Sequence, residues 1–429
     1  MVGMTIFSCF CQLLTFSILS VSFPFSWNSV CLEQMRSRAM ECAGILLVSL
    51  LLVPLKSVAT EADKNISSSN LPPCNFGAIY NFGDSNSDTG GISAAFQPIQ
   101  APYGESFFHK PAGRLSDGRL LIDFIAEHMR LPYLSVYLDS IGSNFRHGAN
   151  FATGGSTIRR QNQTIFQSGI SPFSLDVQIM QFHRFEGRTE ELYRQATDLS
   201  EKNKFPRPRE FSKALYTLDI GQTDLAVGFR QMSNIQLRAA IPDIINQFSA
   251  AVTRLYQQGA RAFWIHNTGP IGCLPTATLY LRNPKPGVLD NYGCLKSQNK
   301  MALEFNRQLE TRIRTLRAEL GHAAITYVDV YAAKYELISN ANSQGFMEPH
   351  KICCGLHEGN THVWCGQKAI VRGAEVFGGA CANPSIYISW DGVHYSQAAN
   401  QWTANQILNG SFSDPPIPIT HACHKRLHY

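Results

Sequence analysis

Several features that would assign this chain to common functional classes are missing from it. Only 16% of its 429 residues are charged and the net charge is +5. No dense stripe of Lys and Arg interleaved with aromatic residues occurs, so nucleic-acid binding is not indicated. The glycine-rich stretch Thr153-Gly154-Gly155-Ser156 lacks the Gly-Lys-Ser/Thr ending of a phosphate-binding loop, so no nucleotide site is predicted. No apolar run beyond residue 59 is long enough to span a membrane as a helix.

The chain does contain enough apolar residues, 44% of the total, for a large core. Short apolar runs typical of buried strands occur at residues 78–82, 145–151, 214–220, 262–266 and 325–330. Two stretches between them have helical spacing, namely Ile241, Ile245, Phe248, Val252 and Leu255, and Phe305, Leu309, Ile313, Leu316 and Leu320. Alternating strands and helices predict a parallel sheet covered on both faces, with functional residues just beyond the carboxyl ends of strands.

Residues 1–59 have the character of a leader. Met35-Arg36-Ser37-Arg38, an apolar run at 43–54 and the small residues Ser57-Val58-Ala59 together match the three regions of a signal peptide. The earlier run at 4–23 is apolar but lacks a basic flank. Two interpretations compete: a first membrane segment, or an upstream extension with translation starting at Met35 or Met40. The second is favoured, and the mature chain is expected to begin near Thr60 without a stable membrane anchor.

Secretion is consistent with two other features of the sequence. Glycosylation sequons begin at Asn65, Asn162 and Asn409. Eight cysteines follow the leader, and an even number in a secreted chain predicts disulfides. They are Cys74, Cys273, Cys294, Cys353, Cys354, Cys365, Cys381 and Cys423.

One local bridge and one alternative to disulfides can be named. Cys273 and Cys294 bracket an excursion that contains Pro and Gly, which favours a disulfide between them. The cluster Cys353, Cys354, His357, His362 and Cys365 has the short ligand spacing of a zinc site. An oxidising compartment favours disulfides, so no metal site is predicted.

Two distant motifs carry catalytic chemistry. Gly83-Asp84-Ser85-Asn86-Ser87 follows the first apolar run, and Asp391 precedes His394 by three positions near the other end of the chain. A serine hydroxyl needs an imidazole to take its proton, and a carboxylate can orient that imidazole and stabilise its charged form. Together the motifs predict a serine hydrolase with Ser85 as nucleophile, His394 as base and Asp391 as orienting group.

These motifs resemble those of the plant GDSL esterase/lipase family within the SGNH hydrolases. Ser85, Asp391 and His394 match its first and last blocks, and the segment 148–156 matches the block whose glycine amide binds the oxyanion. Gly155 is the matching position, with Gly154 as the alternative. The third block, residues 219–225, departs from the pattern because Thr223 stands where the family has Asn.

The resemblance covers most of the chain after residue 72 and implies a fold and an activity. The fold is α/β, a three-layer α/β/α sandwich with a five-stranded parallel, flavodoxin-like sheet in a single domain at residues 72–412. The activity is hydrolysis of a small-molecule or polysaccharide ester in the extracellular space or cell wall, without a cofactor. The oxyanion would be bound by the amides of Ser85 and Gly155 and by Thr223. Residues 413–429, with His421, His424 and His428, are expected to form a solvated tail.

Two other functions stay open. Some relatives with this form of the first block are fucosidase-like, and a glycosidase would need paired carboxylates, for which Asp84, Asp88, Asp219 and Asp224 are the candidates. A secreted ester- or glycan-binding protein is the other, because losing one oxyanion donor costs about 3 kcal/mol of transition-state stabilisation. Three interpretations of Thr223 are open. It donates to the oxyanion directly or through a water, the neighbouring amide of Gln222 takes its place, or turnover is attenuated.

Overall fold

A central sheet of six strands organises the fold, in the order β10-β5-β4-β3-β1-β2. The structure is a computed structural model that describes residues 71–139, 141–347 and 349–425. The predicted leader, Asn65 and His428 lie outside these residues. The strands are β1 (Ile79–Gly83), β2 (Gly148–Asn150), β3 (Leu215–Asp219), β4 (Ala262–His266), β5 (Ala324–Val328) and β10 (Ser413–Asp414).

The first five strands pair in parallel, which confirms the predicted parallel sheet. Each is buried along its length and rich in apolar residues, as is typical of strands covered on both faces. The run at 145–151 contributes only the three residues of β2, because just Gly148–Asn150 pair with β1.

Helices cover both faces of this sheet, which produces the expected three layers. They are α1 (Gly91–Ala95), α2 (Leu121–His128), α3 (Leu175–Gln195), α4 (Leu199–Lys202), α5 (Gln222–Gln231), α6 (Asn234–Gln257), α7 (Pro275–Thr278), α8 (Lys296–Glu319), α9 (Val330–Ser339) and α10 (Gln397–Leu408). Short 3-10 helices occur at Pro208–Lys213, Ile271–Cys273, Ala341–Gln344, Pro384–Ile386 and Ile419–His421.

Alternating strand residues divide the interior into two cores. In β4, Phe263 and Ile265 join the core formed with α3, α6 and α8, whereas Trp264 joins the core formed with α2, α9 and α10. Successive side chains of a strand point to opposite faces, so one apolar strand supplies both cores. The predicted helical stripes of α6 and α8 are buried in the first core.

The C-terminal segment differs from the expected solvated tail. Strand β10 pairs antiparallel with β5, and Ile417 and Ile419 are buried. Cys423 forms a disulfide with Cys74, near the start of the compact unit at Pro72. The residues after 412 therefore close one edge of the sheet, and the five parallel strands gain a sixth, antiparallel neighbour.

The remaining described cysteines are all in disulfides. The expected Cys273–Cys294 bridge is present, and Cys353–Cys381 and Cys354–Cys365 brace an insertion between Cys353 and Cys381. This insertion contains two hairpins, β6 (Gly355–Glu358) with β7 (Thr361–Trp364), and β8 (Lys368–Val371) with β9 (Ala374–Phe377). Because Cys353, Cys354 and Cys365 are all in disulfides, the cysteine-histidine cluster has no thiolate left to bind zinc.

Across the described ranges, none of the helices combines the length and apolar character that crossing a bilayer would require.

Replacing both Cys74 and Cys423 by Ala should lower the free energy of unfolding by about 2 to 5 kcal/mol, because their bond restricts a long stretch of the unfolded chain. The two residues are 349 positions apart. Urea unfolding followed by circular dichroism measures the change, with Cys273→Ala/Cys294→Ala as the comparison. The loss should be smaller in the comparison, whose loop spans 21 positions. An unchanged urea midpoint in the first variant would contradict the expectation.

Candidate active site

The turn that carries Ser85 begins where β1 ends and is held by a glutamine from α3. Gly83 N donates to Gln178 Oε1 at 2.9 Å, and Gln178 Nε2 donates to Gly83 O at 2.8 Å. Gln178 is completely buried. Asp84 N donates to Asp219 O at 3.1 Å, which joins the turn to the end of β3. These bonds fix the place where the chain leaves the sheet and exposes Ser85 to a cavity.

A buried carboxylate joins this turn to the glycine loop after β2. Asp88 accepts hydrogen bonds from the backbone amides of Gly90 at 2.7 Å, Ile92 at 3.1 Å and Gly154 at 2.7 Å, and also from that of Gly91. Burial raises the pKa of Asp88, although these amides lower it in part. Two segments far apart in sequence are thereby held against each other.

The Asp88 contact distinguishes between the two candidate oxyanion glycines. The amide of Gly154 is used by Asp88, whereas the amide of Gly155 has no acceptor among the described residues, and Gly155 lines the cavity. Gly155 has a φ of +78°, and a Cβ there would lie 2.5 Å from Gly169 O, so only glycine fits. The amide of Ser85 likewise has no acceptor in the described chain. Two backbone donors are therefore left for a ligand.

Asp391 and His394 form the pair that their spacing predicts. His394 Nδ1 donates to Asp391 Oδ2 at 2.7 Å, and the backbone amides of Val393 and His394 donate to Asp391 Oδ1 at 2.9 and 2.8 Å. Burial raises the pKa of Asp391, but the charge and hydrogen bonds of His394 outweigh it and hold the pKa below its usual value. The carboxylate is therefore ionised at neutral pH.

His394 lines the same cavity as Ser85. Because Nδ1 holds its proton against Asp391, Nε2 is the basic nitrogen. It is buried without a hydrogen-bond partner among the described residues, and both His394 and Ser85 line the cavity. The two side chains are not hydrogen-bonded to each other here, as is common before substrate binds.

Tyr103 joins Ser85, His394 and Asp391 at this site, although the sequence did not indicate it. Its hydroxyl donates to Asp391 Oδ2 at 2.9 Å, and its ring packs edge-on against Trp390. Burial and the charge of Asp391 raise the pKa of Tyr103 well above its usual value, so the phenol stays protonated and donates. No motif marks Tyr103, because it reaches Asp391 from 288 positions away.

Thr223 lines the cavity but its hydroxyl is already used. Thr223 Oγ1 donates to Asp84 Oδ2 at 3.3 Å, and the Thr223 amide lies 3.4 Å from the same oxygen. Burial and the nearby Asp219 raise the pKa of Asp84 to about 6, so most of it is ionised at neutral pH. Since a hydroxyl has one proton, Thr223 cannot serve Asp84 and a ligand oxygen together.

A buried charged cluster lies beneath the turn. Asp219 Oδ2 lies 3.2 Å from His266 Nδ1, and Lys334 Nζ lies 4.2 Å from the ring centroid of Tyr395. Burial raises the pKa of Asp219, but His266 and Lys334 outweigh it and lower the pKa overall. The cluster therefore keeps a negative charge on Asp219, which in turn opposes ionisation of Asp84.

The cavity has a volume of about 460 Å³ and a mainly apolar wall. Among the described residues that line it there is no Asp or Glu. The four acidic residues proposed for glycosidase chemistry are all buried outside that wall: Asp84, Asp88, Asp219 and Asp224. Asp224 accepts hydrogen bonds from the amides of Ile158 and Arg159 at 2.8 and 3.1 Å, so it supports a loop.

The two described candidate glycosylation sites and the cysteine-histidine group near the C-terminus do not line the cavity. Asn162 and Asn409 are exposed, as glycan acceptors must be. His424 lies near Cys74 and Cys423, but these sulfurs are bonded to each other and His424 Nε2 lies 2.8 Å from Pro72 O. No thiolate is therefore left at this place to bind a metal.

Replacing Gln178 by Leu should lower the free energy of unfolding by about 2 kcal/mol, because it leaves the buried amide of Gly83 without an acceptor. Gly83 O keeps a second donor, Thr153 N at 3.3 Å. Gln181→Leu is the matched control on the same helix, since Gln181 Oε1 is buried without a partner among the described residues. Urea unfolding should show a loss for Gln178→Leu and none for Gln181→Leu. Equal losses would contradict the anchoring role.

Comparison with known proteins identifies the family of this chain. Residues 79–407 match a family model described as GDSL-like Lipase/Acylhydrolase. The chain is 59% identical over 389 residues to a GDSL esterase/lipase of Arabidopsis thaliana, which covers 91% of this chain and 98% of that protein. It is 48% identical over 357 residues to an esterase of Hevea brasiliensis, with 82% and 90% covered.

One relative has a different name. An Arabidopsis thaliana protein named alpha-L-fucosidase 3 is 50% identical over 349 residues, with 80% of this chain and 93% of that protein covered. The family match nevertheless spans the complete parallel sheet, and the resemblance inferred from the motifs is confirmed. The chain belongs to the GDSL-like lipase/acylhydrolase family of carboxylic ester hydrolases.

Proposed function

We propose that this protein is a secreted serine esterase that works through an acyl-enzyme, with Ser85, His394 and Asp391 as its catalytic triad. One observation carries the proposal. Ser85, Gly155 and His394 line one cavity, and among the described residues His394 Nε2 has no hydrogen-bond partner and the amides of Ser85 and Gly155 have no acceptor. A nucleophile, a base and an oxyanion site around one space are what acyl transfer requires.

The first half-reaction acylates the serine. Ser85 Oγ attacks the ester carbonyl carbon while His394 Nε2 takes its proton, and Asp391 stabilises the imidazolium through Nδ1. The oxyanion accepts hydrogen bonds from the amides of Ser85 and Gly155. The bond to the alcohol oxygen then breaks, and His394 returns the proton to the departing alcohol. The acyl group remains on Ser85.

The second half-reaction uses water as the nucleophile. His394 takes a proton from water, which attacks the acyl carbon, and the second oxyanion occupies the same two amides. When the bond to Ser85 Oγ breaks, the serine regains a proton and a carboxylic acid leaves. One water is consumed for each ester cleaved. Acyl or acetyl esters of metabolites, lipids or wall polysaccharides are the proposed substrates.

Secretion is supported by two independent features. The described part of the chain contains four disulfides, which persist in oxidising compartments. The sequons at Asn162 and Asn409 are exposed, and we propose both as glycosylation sites. Asn65 and cleavage near Thr60 remain predictions from the sequence.

The relative named as a fucosidase makes glycoside hydrolysis a second candidate. A glycosidase needs two carboxyl groups flanking the scissile bond. The described wall of the cavity contains no carboxyl group, and Asp88 and Asp224 are occupied by backbone amides. The geometry therefore favours the esterase over the glycosidase.

Replacing Ser85 by Ala should reduce hydrolysis of p-nitrophenyl acetate and butyrate by at least about a thousandfold, because the covalent route is lost. Fluorophosphonate labelling should disappear as well. Ser93→Ala is the control, since Ser93 lies outside the cavity and bonds to the amide of Ile99. Full ester turnover in Ser85→Ala would refute the nucleophile. Cleavage of a p-nitrophenyl fucoside that survives in Ser85→Ala would favour the glycosidase.

Replacing Thr223 by Asn should raise kcat by about tenfold or more, because an amide at this position adds a third oxyanion donor. Thr223→Val, which removes only the hydroxyl, should change kcat by less than about threefold, since that hydroxyl donates to Asp84. Steady-state kinetics with p-nitrophenyl butyrate provide both values. A hundredfold loss in Thr223→Val would instead show that the threonine itself binds the oxyanion.

A further inference from the structure

One face of helix α5 runs along the cavity away from the catalytic residues. Gln222, Thr223, Ala226, Phe229 and Arg230 all line the cavity. Their spacing of one, four, seven and eight positions from Gln222 is that of a single helix face. Thr223 marks the end near Ser85 because it contacts Asp84, the neighbour of Ser85. The opposite end of this face is Arg230.

The helix sets the length of this part of the cavity. Thr223 and Arg230 are seven residues apart, which corresponds to about 10 Å along the helix axis. An extended chain of single bonds advances about 1.2 Å per bond. A substrate chain of about eight atoms, called the arm below, therefore spans the distance from the reacting carbonyl to Arg230.

The wall between these two ends suits an apolar arm. Ala226 and Phe229 of α5 line it, together with Ile92, Leu115 and Phe166. Each methylene group that leaves water for such a surface tightens binding by about fourfold. Most of the arm would therefore be hydrocarbon.

Arg230 brings a positive charge to the far end of this apolar space. Its Nη1 donates to Ser168 O at 3.0 Å, and among the described residues no carboxylate forms an ion pair with it. Arg230 and Gly169, the neighbour of Ser168, both line the cavity, and Arg230 is also exposed to solvent. The remaining guanidinium N–H groups match a carboxylate or phosphate.

We propose, on the basis of the esterase function above, that the preferred substrate is an ester with an apolar arm of about eight atoms that ends in an anionic group bound by Arg230. The arm is either the acyl group or the alcohol of the ester, and both share the same chemistry at the distal end. Arg230 is the specificity-determining residue, and it takes no part in bond cleavage.

Two matched pairs of probes test the proposal. For the acyl side, p-nitrophenyl octanoate is compared with the p-nitrophenyl monoester of octanedioic acid, which differs only in its terminal carboxylate. For the alcohol side, octyl acetate is compared with the acetate ester of the omega-hydroxy acid of equal length. In one of the two pairs, the kcat/KM of the charged probe should be about fivefold higher than that of the neutral probe at low salt. Added salt should reduce this charged-to-neutral ratio.

The ratio of kcat/KM for the charged probe to kcat/KM for the neutral probe should fall to about one in Arg230→Gln. It should persist in part in Arg230→Lys. Arg209→Gln removes the same charge from an exposed position outside the cavity and should leave the ratio unchanged. Using a ratio corrects each variant for any general loss of activity.

The outcomes separate this proposal from the proposed function. Hydrolysis of the neutral esters with no preference for either charged probe would overturn the anionic arm while leaving the esterase intact. A preference that persists in Arg230→Gln would assign the charge recognition to another residue and also overturn it. Absence of turnover on all four probes, including failure of fluorophosphonate to label Ser85, would overturn both proposals.

Discussion

The site depends first on the Asp88 carboxylate. By accepting amide hydrogen bonds from Gly90, Ile92 and Gly154, it holds the turn that carries Ser85 against the glycine loop that follows β2. Backbone amides cannot move independently of their chain, so this contact also restrains the segments that carry Ser85 and Gly155, which line the same cavity. Burying a carboxylate is costly unless it is hydrogen-bonded, and here four backbone donors offset the cost. The proposed oxyanion site is therefore built by the fold before any substrate binds.

A second group of buried polar residues supports His394, the proposed general base. Asp391 accepts hydrogen bonds from two backbone amides, from His394 and from Tyr103, so the carboxylate has little freedom to rotate. A fixed carboxylate fixes the tautomer of the imidazole and leaves Nε2 for proton transfer. The disulfide-braced insertion beside it contributes to the same end, because Cys354 N donates to Trp390 O at 2.7 Å. The geometry of the proposed catalytic site is thus a consequence of backbone contacts from segments far apart in sequence.

The departure at Thr223 has a structural consequence beyond the loss of an amide. Its hydroxyl turns to Asp84, a carboxyl whose pKa burial and Asp219 raise to about 6. At the position where the family has an oxyanion donor, this chain therefore has a residue that supports the turn carrying Ser85. In the proposed esterase, the two backbone amides of Ser85 and Gly155 would carry the oxyanion stabilisation, and the face of α5 that ends at Arg230 would recognise the rest of the substrate.

The sequence alone determined the parallel sheet, the helical core faces and the identities of Ser85, Gly155, Asp391 and His394 as candidate residues, because periodicity and local motifs are properties of neighbouring residues. It did not determine the role of residues 413–424, since a short strand and a disulfide to Cys74 depend on what the segment packs against. Nor did it indicate Tyr103 or Gln178, whose partners lie 288 and 95 positions away. The tertiary structure alone decided that Gly155 rather than Gly154 keeps a free amide and that the Thr223 hydroxyl is used by Asp84, because hydrogen-bond competition among buried groups depends on distances that spacing along the chain does not contain.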